Sequence, residues 1–133
     1  MNKVFESLKE AIFRKGTKDQ YTSIIYDIGE EWQHLGVTKN DKCRRLKVGN
    51  AYVLEYQAFN GSMERPHKHY NKESGIIIKG NVTYKTPYET VNLSEGQTFE
   101  ISPGVWHQFF FNGHCSLILQ YTPPFEHGWE SKE

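Results

Sequence analysis

The chain has little that would tie it to a charged polymer, a membrane or a disulfide scaffold. Sixteen lysines and arginines balance sixteen aspartates and glutamates over 133 residues, for a formal net charge of zero. Without a basic excess there is no electrostatic footprint for a phosphate backbone or an anionic lipid surface. Nucleic acid and membrane are therefore set aside as partners. No apolar run approaches the ~20 residues that cross a bilayer. The opening Met1-Asn-Lys-Val-Phe-Glu-Ser-Leu-Lys-Glu puts charges where a signal peptide needs an unbroken apolar stretch. Two cysteines are present, Cys43 and Cys115, far apart and in no CxxC pattern; in a chain that reads as leaderless they are expected to be reduced packing residues. Internal repeats, low-complexity tracts and linkers are absent as well. The expectation is a soluble, cytoplasmic protein.

What is present divides into three stretches. In residues 1–44, Val4, Phe5, Leu8, Ile12 and Phe13 recur at helical spacing with Lys3, Glu6, Lys9 and Arg14 between them. This predicts a short amphipathic helix over about residues 2–15, ending near Gly16 and packing as an arm on the rest of the fold. Residues 45–125 change texture. Ala51–Phe59, Gly75–Lys79, Val82–Thr86, Gln97–Ile101, Trp106–Phe111 and Ser116–Tyr121 are short β-branched or aromatic runs. Between them stand Phe59-Asn-Gly-Ser, Lys79-Gly-Asn, Leu93-Ser-Glu-Gly, Ser102-Pro-Gly and Phe111-Asn-Gly-His, all with turn chemistry. Ser23–Ile28 and Cys43–Val48 are further candidate strands. Many short strands with no helix between them predict an all-β antiparallel sandwich or barrel. Residues 126–133 form a C-terminal tail, of which Glu130 to Glu133 is expected to fray.

Three of the six histidines carry the chemistry: His67-Lys-His69, then Glu73, then His107 from a separate segment. In an extended chain residues i and i+2 point to the same face, so His67 and His69 can offer imidazole nitrogens to a common point. Glu73 follows past a kink at Asn71-Lys72, and His107 arrives through Pro103-Gly104. Three neutral imidazoles and a carboxylate suit one divalent first-row ion: iron, manganese, nickel, zinc or copper. A closed structural zinc site would more often use cysteine, and neither cysteine is near these residues in the sequence. His34, His114 and His127 have no companion at metal-ligand spacing and read as surface residues.

The stretch Gly61-Ser-Met-Glu-Arg-Pro-His-Lys-His-Tyr-Asn-Lys-Glu-Ser-Gly-Ile-Ile-Ile-Lys-Gly resembles the first motif of the cupin superfamily. In that motif a glycine, five residues, His-x-His, three or four residues, a glutamate, six residues and a glycine follow in order. Gly61, His67, His69, Glu73 and Gly80 each fall on their place. Residues 96–112 resemble the second motif, with Gly96, the Pro103-Gly104 turn, and His107 three residues after Gly104. They depart from it in Ser102, where the family usually has proline, and in Asn112, one residue beyond the usual asparagine. The resemblance implies a double-stranded antiparallel β-helix, the jelly-roll-like cupin barrel, to which the helical spacing above adds a short N-terminal helix. It also implies a metal at the barrel centre and, frequently, a homodimer. Apolar residues on both faces of Ile76–Ile78 and Phe109–Phe111 point the same way, because the outer face needs cover from the helix or a second subunit.

His107 sets the parity of its strand, so Phe109 and Phe111 share its side. With Tyr56, Tyr121 and Arg65 they make up the expected substrate pocket, although ordinary packing accounts for each tyrosine taken singly. No nucleophile–base pair stands apart from the metal ligands, so the ion must carry any reaction. The resemblance favours a metal-dependent enzyme acting on a small polar organic molecule (a sugar, uronate or organic acid) by isomerase, lyase or dioxygenase chemistry. The alternative is a non-catalytic module that binds a small molecule through the metal.

Overall fold

The computed structural model describes residues 3–10, 25–33, 40–49, 51–62 and 66–123. Over these the chain forms a helix, α1 (Lys3–Lys9), and seven strands: β1 (Ile25–Asp27), β2 (Asp41–Val48), β3 (Ala51–Ser62), β4 (Lys72–Lys85), β5 (Thr90–Leu93), β6 (Thr98–Ile101) and β7 (Gln108–Thr122). All pairings are antiparallel, in the order β1-β2-β3-β7-β4-β5, with β6 also on β4. The all-β expectation holds. No helix of the described residues is long and apolar enough to cross a membrane.

Two pairs of expected strands merge into longer ones, and β5 falls on none of the expected runs. Gly75–Lys79 and Val82–Thr86, apart from Thr86, belong to one 14-residue strand, β4, and Trp106–Phe111 and Ser116–Tyr121 fall largely on the 15-residue β7. Phe59-Asn-Gly, Lys79-Gly-Asn and Asn112-Gly113, expected as turns, lie inside strands. They coincide with register shifts, between Phe59 and Gly61 in β3 against β7, and between Ile77 and Asn81 in β4 against β7. The irregular sites line up across the sheet, since Phe59 pairs with His114 and Asn81 with Asn112. Three adjacent strands are therefore irregular along one line. Bulges at glycine bend a strand and increase its twist, and this crease lets one sheet fold over itself around a core. At Gly80 the backbone takes φ 90° and passes the His114 carbonyl so closely that a Cβ would stand 2.6 Å from its oxygen.

Strand alternation sorts the apolar residues to two sides. Leu54, Tyr56, Ile77, Tyr84, Phe99, Phe109, Phe111, Leu117 and Leu119 pack in the interior with both buried cysteines nearby. Ile76, Ile118, Leu46, Val48 and Val53 face the other way and pack with Phe5 and Leu8 of α1. Burying a Phe or Leu contributes roughly 1.5–3 kcal/mol, which holds in place a seven-residue helix too short to persist alone. The Ile76 side of the outer face is thus covered by α1, with Ile78 partly buried against the same cluster; Phe110, on the same outer side, is not part of it. The expected helix runs on to residue 15, and Ile12 and Phe13 lie outside the described residues.

Candidate metal centre

His67 and His107 are held together by their backbones. Each donates its N–H to the other's carbonyl, at 2.9 and 2.8 Å, forming an isolated antiparallel bridge between segments forty residues apart. The turn before His107 is fixed from the same side. Gly104 N–H donates to the His69 carbonyl at 2.8 Å, and Val105 N–H reaches back to Ser102 O at 3.3 Å. Gly104 has φ 77°, so Ser102-Pro103-Gly104-Val105 has the features of a type II turn, with proline and glycine at the positions that turn requires. Ser102, where the family motif has proline, sits at the turn's first position and leaves it intact. Glu73 comes from β4, flanked by Ile101 of β6 and Tyr121 of β7. Two places further along the inward face of β4, Gly75 leaves room for the Phe99 ring, whose atoms stand 2.4 Å from where a Cβ would be.

The result is a compact donor cluster. One ligating nitrogen from each of His67, His69 and His107 can lie within 4.8 Å of the others. His69, Glu73 and His107 are 4%, 3% and 1% exposed, while His67 is only half-buried. Glu73 Oε1 lies 3.0 Å from His69 Nε2 and 3.5 Å from His107 Nε2.

The outward ring nitrogens decide what the inward ones can do. His69 Nδ1 is 2.8 Å from the Asn71 carbonyl, and His107 Nδ1 is 2.9 Å from the Val105 carbonyl. A carbonyl oxygen can only accept, so each Nδ1 carries a hydrogen, and in the neutral ring Nε2 bears a lone pair. Those lone pairs face a carboxylate oxygen in a buried site, an arrangement of acceptors against acceptor. At His107 Nε2, 3.5 Å from Glu73 Oε1, a positive charge between the atoms relieves it. Only a proton or a metal cation between the groups does so, and backbone carbonyls behind ligating histidines are the usual means of orienting them. The donor set therefore fits a divalent ion.

Burial alone would raise the Glu73 carboxyl's pKa, but in the metal-free protein protonated imidazoles at His107 and His69, donating hydrogen bonds to it, outweigh that and hold it at about 2. A carboxyl lowered on folding stabilises the fold above its unfolded pKa of ~4.3, and this contribution fades as the pH falls toward the folded value. In chelator-treated protein, the difference in unfolding free energy between wild type and Glu73→Gln is expected to shrink steadily on acidification from about pH 5 to about pH 2. Urea melts at a series of pH values measure it, and a flat difference would show that the imidazoles do not hold this carboxylate.

The five expected pocket residues are placed unequally. Phe109 meets the His107 ring edge-on at 5.8 Å between centroids, and Tyr121 does the same to His69 at 5.6 Å. Burial, then the Glu73 charge, push the Tyr121 phenol well above its usual pKa, with smaller pushes from Tyr56 and Cys43, so it stays protonated. Phe111 stacks beyond Phe109 at 6.0 Å, and Tyr56 packs beyond Phe111 at 5.7 Å with its hydroxyl donated to Asp41 Oδ2 at 2.9 Å. Both belong to the packed interior. Arg65 lies outside the described residues. Of the other histidines, His114 stacks on Phe59 at 4.6 Å, and His34 and His127 are not described. The Asn71 and Val105 carbonyls went unforeseen, as backbone groups carry no residue-type signal.

The cupin domain family matches residues 56–121, the segment that contains both histidine motifs and all four expected ligands. The chain belongs to the cupin superfamily and is a small cupin. Its fold is similar to that of an RmlC-like cupin from Shewanella frigidimarina (19% identity, TM-score 0.63, covering 76% of this chain and 92% of that one). It is similar also to KdgF from Halomonas sp. (16%, TM-score 0.61, 76% and 94%) and to a DUF1255 protein of unknown function from Acidithiobacillus ferrooxidans (11%, TM-score 0.60, 69% and 87%). With 282 solved chains matching significantly, the likeness selects a jelly-roll fold and no single activity. No curated protein matches the chain significantly.

Proposed function

We propose that the chain is a metal-dependent enzyme acting on a small polar organic molecule, with His67, His69, Glu73 and His107 holding one divalent transition-metal ion. The observation that carries this reading is the convergence of three imidazoles within 4.8 Å, with the Glu73 carboxylate against two of them. When bound, the ion would polarise a substrate oxygen or acidify a water, and iron would also open oxygen chemistry. The chain's own contribution is orientation and exclusion. Asn71 and Val105 lock two imidazoles in the ligating tautomer, and Phe109 and Tyr121 wall those rings off with apolar edges. His67, the least buried of the three, marks the more open side. Tyr121 keeps its proton beside His69 and can donate it in a hydrogen bond.

Elemental analysis of the untreated protein is expected to find about one first-row metal ion per chain. The stripped protein is then reloaded with iron, manganese, nickel or zinc and offered sugars, uronates and organic acids. Turnover with oxygen uptake confined to iron assigns a dioxygenase; turnover shared by zinc, manganese and nickel assigns isomerase or lyase chemistry. A chain that carries no metal overturns the reading, and one that carries metal but converts no substrate is a binding module.

A further inference from the structure

Only Tyr70 and Asn71 separate His69 from the start of β4. Tyr70 is exposed and Asn71 half-buried. The two polar parts of Asn71 are engaged in different directions. Its backbone carbonyl takes the hydrogen of His69 Nδ1 at 2.8 Å, and its side-chain Nδ2 donates to the Pro123 carbonyl, fifty-two residues along the chain. A carbonyl can only accept, so the nitrogen of the carboxamide, and not its oxygen, faces Pro123.

The register explains why a side chain is used here. β4 and β7 pair Glu73 with Tyr121 and Lys72 with Thr122, so the next rung would set Asn71 against Pro123. Proline has no N–H to offer a ladder. The backbone pairing stops at Thr122, and the Asn71 carboxamide adds a tie beyond it through the one hydrogen-bonding group that a proline has. On the other side of the ligand, Gly104 N–H holds the His69 carbonyl at 2.8 Å. His69 is thus fixed from two separate segments. Without the Pro123 contact, the peptide that carries the Asn71 carbonyl loses its outer anchor. A carbonyl free to swing fixes neither the tautomer nor the direction of the ring it should orient.

We propose that Asn71 is a positioning residue for the metal centre: its side chain clamps the His69 loop to the end of β7 at Pro123 and so holds the carbonyl that orients His69 toward the ion. The inference rests on the metal reading above. It adds that the end of β7, remote in sequence from the first histidine motif, tunes the affinity of the site. The test uses the full chain stripped with chelator, and zinc alone as the probe. Zinc affinity is measured by competition with a chromophoric chelator for wild type, Asn71→Ala and Lys72→Ala. Asn71→Ala should weaken zinc binding about tenfold, the lower end of the loss that follows removal of groups orienting a ligand, because it acts through one further bond. Lys72→Ala controls for general disturbance of the loop. It removes a neighbouring side chain whose ammonium lies 3.7 Å from Glu100 Oε2, and it should not weaken zinc binding. A second readout is specific to position. In the zinc-loaded protein the His69 Nδ1–H should exchange with solvent faster in Asn71→Ala than in wild type, while that of His107, held by the Val105 carbonyl, keeps its rate. Nitrogen-15 NMR of the imidazoles follows both. Zinc bound by Asn71→Ala as tightly as by wild type, equal weakening by Lys72→Ala, or equal acceleration at His107 overturns the inference and leaves the metal centre standing. A wild-type chain that binds no zinc strikes both.

Discussion

His69→Ala is expected to empty the metal centre while leaving the barrel folded. His69 stands 3.0 Å from Glu73 and 5.0 Å, ring to ring, from His107, so its loss takes away one of few ligands. It also removes a charge partner from a buried carboxylate. Changing residues that merely orient metal ligands costs about 10–100-fold in affinity; deleting a ligand should cost on the order of a hundredfold or more. Metal content after dialysis against a weak chelator should fall from near stoichiometric to background. The fold should persist because the interior cluster of Leu54, Ile77, Phe99, Phe109 and Leu117 is built without His69. A far-ultraviolet circular dichroism spectrum matching the wild type, together with lost metal, is the expected pair of results. Full metal retention would mean that the cluster is not the site.

Gly80→Ala is expected to have the largest effect on stability, although residue 80 touches no ligand. The position has φ 90°, which strains any L side chain, and the new methyl would meet the His114 carbonyl oxygen at 2.6 Å and Cys115 Sγ at 2.8 Å. The sulfur can yield, but the carbonyl belongs to the β7 backbone opposite the crease. Strain and overpacking each cost roughly 1–3 kcal/mol, and both act here. A loss of about 3 kcal/mol, read from the urea midpoint at unchanged slope, would place the bend under glycine's control. A variant as stable as wild type would show that the crease relaxes freely.

Gly80 also shows how far local pattern carries. Asn and Gly between apolar runs signal a reversal in a hairpin and a bulge in a continuous strand equally well. At Lys79-Gly-Asn and Phe111-Asn-Gly-His the outcome depends on which strand lies alongside, information those residues do not contain. β4 continues because β7 pairs with it both before and after the shift, from Glu73–Tyr121 to Lys85–Gln108. The N-terminal helix was legible from its 3.6-residue period, but its seat on Ile76 and Ile118 was not. Two alternating strands can present either face to a helix, and only the closed sheet leaves one of them outside.

By itself the sequence determined the donor types and their common direction. Alternation in an extended chain puts His67 and His69 on one side, and the spacing of both motifs brings Glu73 and His107 into the same family pattern, whatever the details of the sheet. It determined too that the fold would be antiparallel β, since so many β-branched and aromatic runs separated by turn chemistry leave no room for helices between them. Tertiary structure alone decided which nitrogen of the His69 and His107 rings faces inward. That choice belongs to the Asn71 and Val105 carbonyls, and a carbonyl's position is set by how the chain turns. It likewise decided that the acceptors of His69, His107 and Glu73 confront one another away from water, where their lone pairs need a cation between them.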